Sequence, residues 1–177
     1  MTTTKLISLL TPKRTWFQFR LVTLLVCVAV ICVVLALRVS RQDKRRVAIA
    51  GIESVGGKII YLSEWTGKGV IFAAGIKLDI PQLSLSERLL GDDPSNTIVA
   101  VYFEPNWKVT DVVLANTLPF TKMRVLVMGS NHITDAGLLR LKALSGLQLV
   151  TVDANRDVTE AGVAEFQKAL PKCKIER

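Results

Sequence analysis

The hydrophobic pattern of the chain begins with one long apolar run. Leu21 to Leu37 contains no charged residue, and Arg20 and Arg38 bound it. A helix rises about 1.5 Å per residue, so this run covers somewhat less than a bilayer core of roughly 30 Å, and arginines at its ends can reach the headgroups. The pattern predicts a transmembrane anchor over residues 21–38, behind a basic tail over residues 1–20.

A cleaved signal peptide is the alternative interpretation of the same run. The apolar core of a signal peptide has about 7–15 residues and ends in small residues. This run is longer, and Arg38 follows Ala36 and Leu37 directly. We therefore expect an uncleaved anchor and a single-pass membrane protein. Basic residues flank both ends in similar number, so the positive-inside rule does not orient the chain, and the usual behaviour of signal-anchors favours a cytoplasmic N-terminus.

After the anchor, the apolar positions predict one helix and one strand. They recur at helical spacing over residues 41–55, and Gly56-Gly57 then ends the run as a helix C-cap does. Residues 58–62, with two isoleucines and a tyrosine, are typical of a short strand. We predict a juxtamembrane helix over residues 39–57, followed by this strand.

The next part of the chain follows neither period clearly. It contains an apolar stretch, Gly69–Ile76, that is too short to span a membrane. Residues Leu83–Leu90 favour a short helix. We assign residues 58–96 as a whole to an N-terminal cap region of the domain that follows.

A repeat of 24 to 26 residues organises positions 97–177. One marker is a Thr-Asp or Thr-Glu motif at spacings of 24 and 25, and the other is a pair of apolar residues at spacings of 24, 24 and 26. The motif occurs at Val109-Thr110-Asp111, Ile133-Thr134-Asp135 and Val158-Thr159-Glu160, and the pairs are Val99/Val101, Met123/Val125, Leu147/Leu149 and Cys173/Ile175.

The middle unit shows what each half of the repeat forms. Leu138, Leu141 and Leu144 have helical spacing, whereas Leu147 and Leu149 alternate as the residues of a strand do. A strand–helix unit cannot cover its apolar face alone, but stacked neighbours can. We therefore predict an α/β fold in which a short solenoid of strand–helix units forms a parallel sheet behind one N-terminal transmembrane helix.

These motifs resemble leucine-rich repeats of the cysteine-containing type. The resemblance rests on ThrAspAlaGlyLeu at 134–138, on its weaker copies at 110–114 and 159–163, and on LeuProLysCysLysIle at 170–175. It implies a curved leucine-rich-repeat solenoid over residues 97–177, with a C-terminal cap, that is used for protein–protein contact.

The whole chain is similar to small membrane-anchored leucine-rich-repeat proteins abundant in planctomycete bacteria. Those proteins carry an Arg-Arg helix that ends in Gly-Gly, and then a Leu-Leu-Gly-Asp-Asp stretch. The counterparts in this chain are Arg45-Arg46, Gly56-Gly57 and Leu89–Asp93. The first repeat departs from the pattern, because Val112-Val113 stand where Ala-Gly is usual and Pro105 and Trp107 occupy the turn.

The net charge of +8 raises the question of nucleic-acid binding. Residues 1–46 hold nine Lys/Arg and one acid, whereas residues 47–177 hold fourteen basic and fourteen acidic residues. All of the excess positive charge therefore flanks the apolar run, where it suits anionic headgroups. We expect the lipid bilayer to be bound through Leu21–Leu37 with its basic flanks, and we expect no nucleic-acid partner, because the folded part shows no basic patch.

Candidate catalytic groups are few. Asp92-Asp93 is the only adjacent pair of acids, and before Pro94 it favours a turn and N-cap role. His132 is the only histidine, and no nucleophile motif such as G-x-S-x-G accompanies it. We therefore predict no enzyme activity and no cofactor.

A metal site is not indicated by the sequence either. Asp111, Asp135 and Glu160 recur at one repeat position, where helix N-termini favour negative charge without any cation. Cys27 and Cys32 lie inside the apolar run, and Cys173 is the one cysteine after it. No disulfide or cysteine-based metal site can therefore be formed within the repeats.

The strand residues between the inward positions are the candidate protein-binding residues. Side chains alternate along a strand, so the positions between Val99 and Val101, and their equivalents, should face the open concave side. Six candidates follow, namely Tyr102, Arg124, Leu126, Gln148, Val150 and Lys174. Tyrosine and arginine are enriched at interfaces. A passive, solvated face is the alternative, and Trp65 and Trp107 suit either a partner contact or the core.

These observations predict a membrane-anchored module that binds another protein through a leucine-rich-repeat surface. The alternative is a structural subunit of a membrane complex that is recognised through its transmembrane helix. A third hypothesis is an enzyme in residues 63–96, which would require His132 and Asp92 or Asp93 to meet in one pocket.

Overall fold

The structure is a computed structural model that describes residues 14–65, 81–105 and 108–177. The chain forms two compact units, Met1–Ser40 and Arg41–Arg177. Three sequence predictions fall outside the described residues, namely the tail as far as residue 13, the apolar stretch 69–76 and the role of Trp107.

Helix α1 runs from Arg14 to Glu53 and unites the two helices that the sequence predicted as separate elements. In the part of the chain that the structure describes, it is the one helix long and apolar enough to cross a membrane. Its most apolar window has a mean hydropathy of 2.9, and none of that window is buried. A single candidate membrane-spanning helix near the N-terminus is thus confirmed, although a signal sequence would have the same properties.

Helix α1 ends at Glu53, and a turn then leads to the two glycines at which the sequence predicted its end. Gly56 has a φ angle of 81°, a left-handed conformation that glycine adopts without the steric penalty of a Cβ atom. Ala48 and Ile52, in the last turns of the helix, are buried. Strand β1, Gly57–Tyr61, follows at once and confirms the strand expected near residues 58–62.

A five-stranded sheet, in the order β1-β2-β3-β4-β5, forms the second unit. Strand β1 is antiparallel to β2, and all other neighbours are parallel. The four further strands are β2, Ile98–Phe103; β3, Val125–Met128; β4, Leu149–Thr151; and β5, Lys174–Glu176. The predicted α/β class and the mostly parallel sheet are therefore confirmed.

Helices follow the first three of the parallel strands. They are α3, Asp111–Leu114; α4, Asp135–Arg140; and α5, Glu160–Ala169, with 3₁₀ turns at Ala115–Thr117 after α3 and at Leu141–Ala143 after α4. Helix α2, Leu85–Leu89, precedes β2 and confirms the short helix expected near residues 83–90. We call β2–α3, β3–α4 and β4–α5 the first, second and third units.

The main core lies between the helices and one face of the sheet. Val101, Leu126 and Val150, from three neighbouring strands, belong to the same buried cluster as Leu138 and Phe166 of the helices. Burying aliphatic and aromatic side chains of this size contributes about 1.5–3 kcal/mol each. This cluster is the dominant apolar contact of the repeats.

The opposite face of the sheet, here called the second face, is also apolar. Ala100, Val125 and Leu149 are in register across three strands and are buried in a smaller cluster. Trp65 and Tyr102 pack against this cluster. Parallel strands covered on both faces have almost continuous apolar sequences, which explains the runs Ile98–Phe103 and Val125–Met128.

The expectation that Leu126 and Val150 lie on the open face of the sheet is wrong. Both side chains are fully buried on the helix side. The alignment of the repeats with one another matched Val101 with Val125, at a spacing of 24. In the structure, the strands instead pair Ala100 with Val125. Because side chains alternate along a strand, this difference of one residue moves the residues of β3 and β4 to the other face. A second spacing of 25, from Leu149 to Lys174, restores the predicted faces in β5.

Candidate functional site

Backbone hydrogen bonds link three of the predicted binding residues, Arg124, Gln148 and Lys174, although Lys174 is in register with Leu149. The backbone N–H of Gln148 donates to the carbonyl of Arg124, and the N–H of Lys174 donates to the carbonyl of Gln148, each at 2.8 Å. The Arg124 guanidinium donates to the Gly146 carbonyl at 3.0 Å, and the Lys174 ammonium lies 2.8 Å from a Glu176 carboxylate oxygen. Arg124 and Gln148 are partly buried and Lys174 is exposed.

Tyr102 lies on the second face, as the sequence predicted, in register with Val127 and Thr151. It is half-buried, and this burial raises the pKa of its hydroxyl, which therefore stays protonated at neutral pH. The hydroxyl oxygen is itself buried and has no hydrogen-bond partner in the structure described.

The second face is only partly accessible. Ala100, Val125 and Leu149 are almost fully buried, whereas Tyr102 and Val127 are partly exposed. Among the described residues, the accessible part of this face includes Tyr102 and Val127, together with the partly exposed Ile60 and Trp65 and with Lys174 and Glu176 of β5. This accessible surface is smaller than the six predicted residues implied, and its residues are partly different ones.

Two buried asparagines, which the sequence reasoning missed, join the turns after the strands. Asn131 is fully buried, and its side-chain oxygen accepts from the N–H of Val109 at 3.4 Å. Asn155 accepts from the N–H of Asn131 at 3.1 Å and donates to the Met128 carbonyl. Each turn therefore bonds to the next through an asparagine, and few backbone groups are left unsatisfied in the interior.

A sequence signal for these asparagines does exist. The second unit reads Met123-x-x-Leu126-x-Met128-x-x-Asn131, and the third reads Leu147-x-x-Val150-x-Val152-x-x-Asn155. The apolar residues of both patterns are buried. An alignment on the asparagines would have given the correct faces for Leu126 and Val150.

The Thr-Asp motif forms a second series of contacts between units. The Asp111 carboxylate accepts from the Thr134 N–H at 3.0 Å and from the Thr134 hydroxyl at 2.6 Å. Asp135 accepts in the same way from Thr159, at 2.8 Å and 2.6 Å. These bonds from Thr159 lower the pKa of Asp135. The acids therefore bond to the following unit, which accounts for their recurrence without a cation.

Each threonine also caps its own helix. The Thr134 hydroxyl accepts from the N–H of Gly137, and the Thr159 hydroxyl accepts from the N–H of Gly162, so each threonine is the N-cap of the helix that follows it. A Cβ atom on Gly137 or Gly162 would overlap with the carboxylate of the preceding unit. The contact between neighbouring units thus requires the acid of one unit and both the threonine and the glycine of the next.

The remaining candidate catalytic residues lie at separate contacts. The Asp92 carboxylate is 2.6 Å from the Arg45 guanidinium. Asp93 forms a turn, since its carboxylate accepts from the N–H and the hydroxyl of Ser95, and these bonds lower its pKa. The exposed His132 lies 3.6 Å from Asp157. The predicted turn role of Asp93 is confirmed.

The cysteines form no bridge in the structure. Cys27 and Cys32 are exposed on α1, and Cys173 is buried. Burial raises the pKa of the Cys173 thiol to about 12, so it stays protonated and unreactive at neutral pH. Across residues 14–65, 81–105 and 108–177, no group of three or more His, Cys, Asp or Glu side chains could hold a metal ion.

The class that the fold defines is an α/β protein with a mostly parallel five-stranded sheet and one long apolar N-terminal helix. Comparison of the chain with known protein families, with characterised proteins and with solved structures finds no match.

Proposed function

We propose that this protein is a membrane-anchored module of the leucine-rich-repeat class that binds another protein. The observation that carries the proposal is the repeated polar joint between units, in which Asp135 bonds to Thr159 and Asn155 bonds to Asn131. The buried apolar residues that precede each asparagine follow the L-x-x-L-x-L-x-x-N pattern of such repeats. Proteins built from stacked repeats of this kind use extended surfaces for binding.

The membrane anchor of the proposal is the apolar part of α1. Its side chains between Leu21 and Leu37 are almost all exposed, which is stable only where lipid or another protein covers them. Basic residues at both ends suit the headgroup regions. We propose a single-pass protein with its N-terminus in the cytoplasm.

The proposed contact surface is the accessible part of the second face together with Arg124 and Gln148. Tyr102 offers a partly exposed aromatic side chain, and Arg124 and Lys174 offer charge. Tyrosine and arginine are the residue types that contribute most at protein interfaces. The partner is therefore expected to present an acidic or hydrogen-bond-accepting surface.

The test is crosslinking and affinity capture from native membranes with the full chain. The variant Tyr102→Ala/Lys174→Ala alters the proposed surface, and Val112→Ala/Lys168→Ala removes an exposed apolar and an exposed basic residue from helices α3 and α5. We expect the first variant to lose at least tenfold of the captured partner and the second to retain it. Equal capture by both variants would show that this surface does not bind.

The burial of Ala100, Val125 and Leu149 favours a second candidate function. Because the second face is largely covered, the accessible contact area is small, whereas the apolar part of α1 is exposed along its length. In this alternative the protein is a structural subunit recognised through that helix. Exchange of Leu21–Leu37 for an unrelated apolar helix would then abolish capture, and the Tyr102→Ala/Lys174→Ala variant would not.

A further inference from the structure

The second face carries a row of side chains that crosses all five strands. Ile60 of β1 packs against the second-face cluster and Ile59 against the main core, so Lys58 also lies on the second face. Strand pairing joins the members of the row one strand at a time. From β1 to β5 they are Lys58, Tyr102, Val127, Thr151 and Glu176. Neighbouring strands lie about 4.8 Å apart, so the row is about 19 Å long.

Solvent reaches four of the five members of this row. Lys58 is exposed, and Tyr102, Val127 and Glu176 are partly exposed. Thr151 is 9% exposed, between two more accessible neighbours. The row can therefore be contacted by another molecule along its whole length.

The order of side chains along the row is self-complementary. One end is basic and the other acidic, an aromatic ring and a hydroxyl group flank the centre, and the centre is the aliphatic Val127. A two-fold axis along β3 would place β1 of one copy over β5 of a second copy. Lys58 would then face Glu176 of the second copy, and Val127 would face its own counterpart. Each surface therefore complements itself, which is the requirement for a closed dimer with two-fold symmetry.

The charges at the two ends suit this arrangement. Lys58 is in no ion pair among residues 14–65, 81–105 and 108–177. Glu176 lies 2.8 Å from the Lys174 ammonium, and a carboxylate has room for a second cation because it offers about four lone-pair sites. Opposite charges that meet across a contact fix its register and disfavour partners of like charge. The ends of the row therefore specify which way round a second copy would bind.

We propose that the partner of the second face is a second copy of this chain, bound about a two-fold axis along β3 with Lys58 of each copy opposite Glu176 of the other. The inference rests on the proposed function and names the partner of the same surface. A row of five side chains is smaller than a standard interface of about 20–30 residues a side, so the contact is weak in solution. Confinement of both copies to one bilayer raises their effective concentration.

The first test is crosslinking of the full chain in detergent micelles through one cysteine at the proposed axis. Val127→Cys is made with Cys27 and Cys32 replaced by alanine, and the buried Cys173 does not react. A short bis-maleimide is used, because facing sheets pack about 10 Å apart. The control is Val112→Cys, which is 76% exposed on α3, and yields are divided by the labelling of each cysteine with a monofunctional maleimide.

We expect at least tenfold more crosslinked dimer at position 127 than at position 112. In a two-fold dimer, identical residues of the two copies meet only near the axis. Equal normalised yields at the two positions would overturn the proposal.

The second test reverses the charges at the ends of the row in the Val127→Cys background. Lys58→Glu alone, or Glu176→Lys alone, sets like charges against each other at both ends, and each should lower crosslinking at least tenfold. A mixture of the two variants restores opposite charges at both ends and should recover the original yield. A mixture that crosslinks no better than either variant alone would overturn the proposed register.

Folding of these variants is checked by circular dichroism and by melting temperature. Because Glu176 also pairs with Lys174, its reversal could disturb β5, so the milder Glu176→Gln is measured as well. This variant should lose severalfold of the crosslinked dimer, since it removes one charge and adds none. Yields that stay unchanged in both Lys58→Glu and Glu176→Gln would overturn the proposal, because association would then use another surface, such as the apolar part of α1.

Affinity capture separates this result from the proposed function. If position 127 does not crosslink while Tyr102→Ala/Lys174→Ala still loses a different protein captured from native membranes, the surface binds that protein and self-association is refuted. If position 127 does not crosslink and the capture is also unchanged, both the self-association and the proposed surface fail.

Discussion

The two junctions between repeat units are formed by the same polar groups, but their asparagine hydrogen bonds differ in length. Between the second and third units, Asn155 accepts from the Asn131 N–H at 3.1 Å. Between the first and second units, the equivalent bond from Val109 to Asn131 is longer, at 3.4 Å. The acid contacts are alike, since both Asp111 and Asp135 bond to the threonine of the following unit. The first junction therefore has the longer asparagine bond of the two.

The departures of the first and third units from the Thr-Asp-x-Gly motif follow from the direction of the stack. The glycine of a unit provides space for the acid of the unit before it, and the acid bonds to the unit after it. The first unit has an acid but carries Val113 in place of Gly137 and Gly162. The third has the glycine but carries Glu160 in place of aspartate. A motif that looks irregular along the sequence is thus consistent with the position of each unit in the stack.

The turn of the first unit differs for a second reason. Ser130 and Ala154, one residue before each asparagine, have φ angles of 48° and 54°. The residue at the same place in the first unit is Pro105, whose ring fixes φ near −65°. The first turn therefore cannot repeat the backbone of the other two.

Asn155→Ala should cause the largest loss of stability. It removes the acceptor of the Asn131 N–H and the donor to the Met128 carbonyl, and a buried group left without a partner costs about 1–3 kcal/mol. We expect a loss of about 3 kcal/mol in urea unfolding of the full chain in detergent micelles, followed by circular dichroism. Asn131→Ala, which disrupts the longer bond, should cost less, and Asn96→Ala in an exposed turn should cost under about 1 kcal/mol. Equal losses for Asn131 and Asn155 would contradict the difference between the junctions.

Gly162→Ala should have an intermediate effect. The new methyl group overlaps with the Asp135 carboxylate, and overpacking of this kind costs about 1–3 kcal/mol. The Thr159 N–H should lose its protection from hydrogen exchange, because its acceptor is displaced. Val113→Ala, at the same position of the first unit, should leave that protection intact. Preserved protection in Gly162→Ala would show that the glycine is not needed for the contact.

The pH dependence of stability should show the smallest effect. The folded-state pKa of Asp135 is lowered, so its contribution is present above the unfolded pKa of about 4 and is lost as pH falls through the folded value. The pKa of Glu87, lowered to about 2 first by Lys122 and then by Ser84, acts in the same direction. Asp135→Asn should therefore flatten the decline in melting temperature between pH 4 and pH 2, as should, in part, Thr159→Val. If the melting temperature of both variants fell between pH 4 and pH 2 as steeply as that of the original chain, this role of the carboxylate would be refuted.

Much of the fold could be predicted from local patterns. The apolar run, the glycine pair after α1 and the Leu83–Leu90 helix depend on spacing and capping alone, and the structure confirms each. The repeat period also predicted where the parallel strands would lie. These features are encoded within short windows of sequence.

The faces of the strands and the candidate surface could not be predicted in the same way. A spacing of 24 between Val101 and Val125 looked regular, but the strands pair at 25 there, and one residue reverses the face. Burial of the second face and the Arg45–Asp92 ion pair depend on contacts between distant parts of the chain. Tyr102 and Lys174 were placed correctly on the second face, whereas Leu126 and Val150 were placed on the wrong one.

The account depends most on the stacking of repeat units through the Asp–Thr–Gly contact, and a double-mutant cycle of Asp135→Ala and Gly162→Ala tests it directly. With Asp135 present, alanine at position 162 should destabilise the chain. With Asp135 removed the overlap disappears, and alanine should be neutral or stabilising, because it favours a helix over glycine by about 0.8–1 kcal/mol. A change of sign between the two backgrounds is the predicted result, and additive effects of the two substitutions would contradict the account.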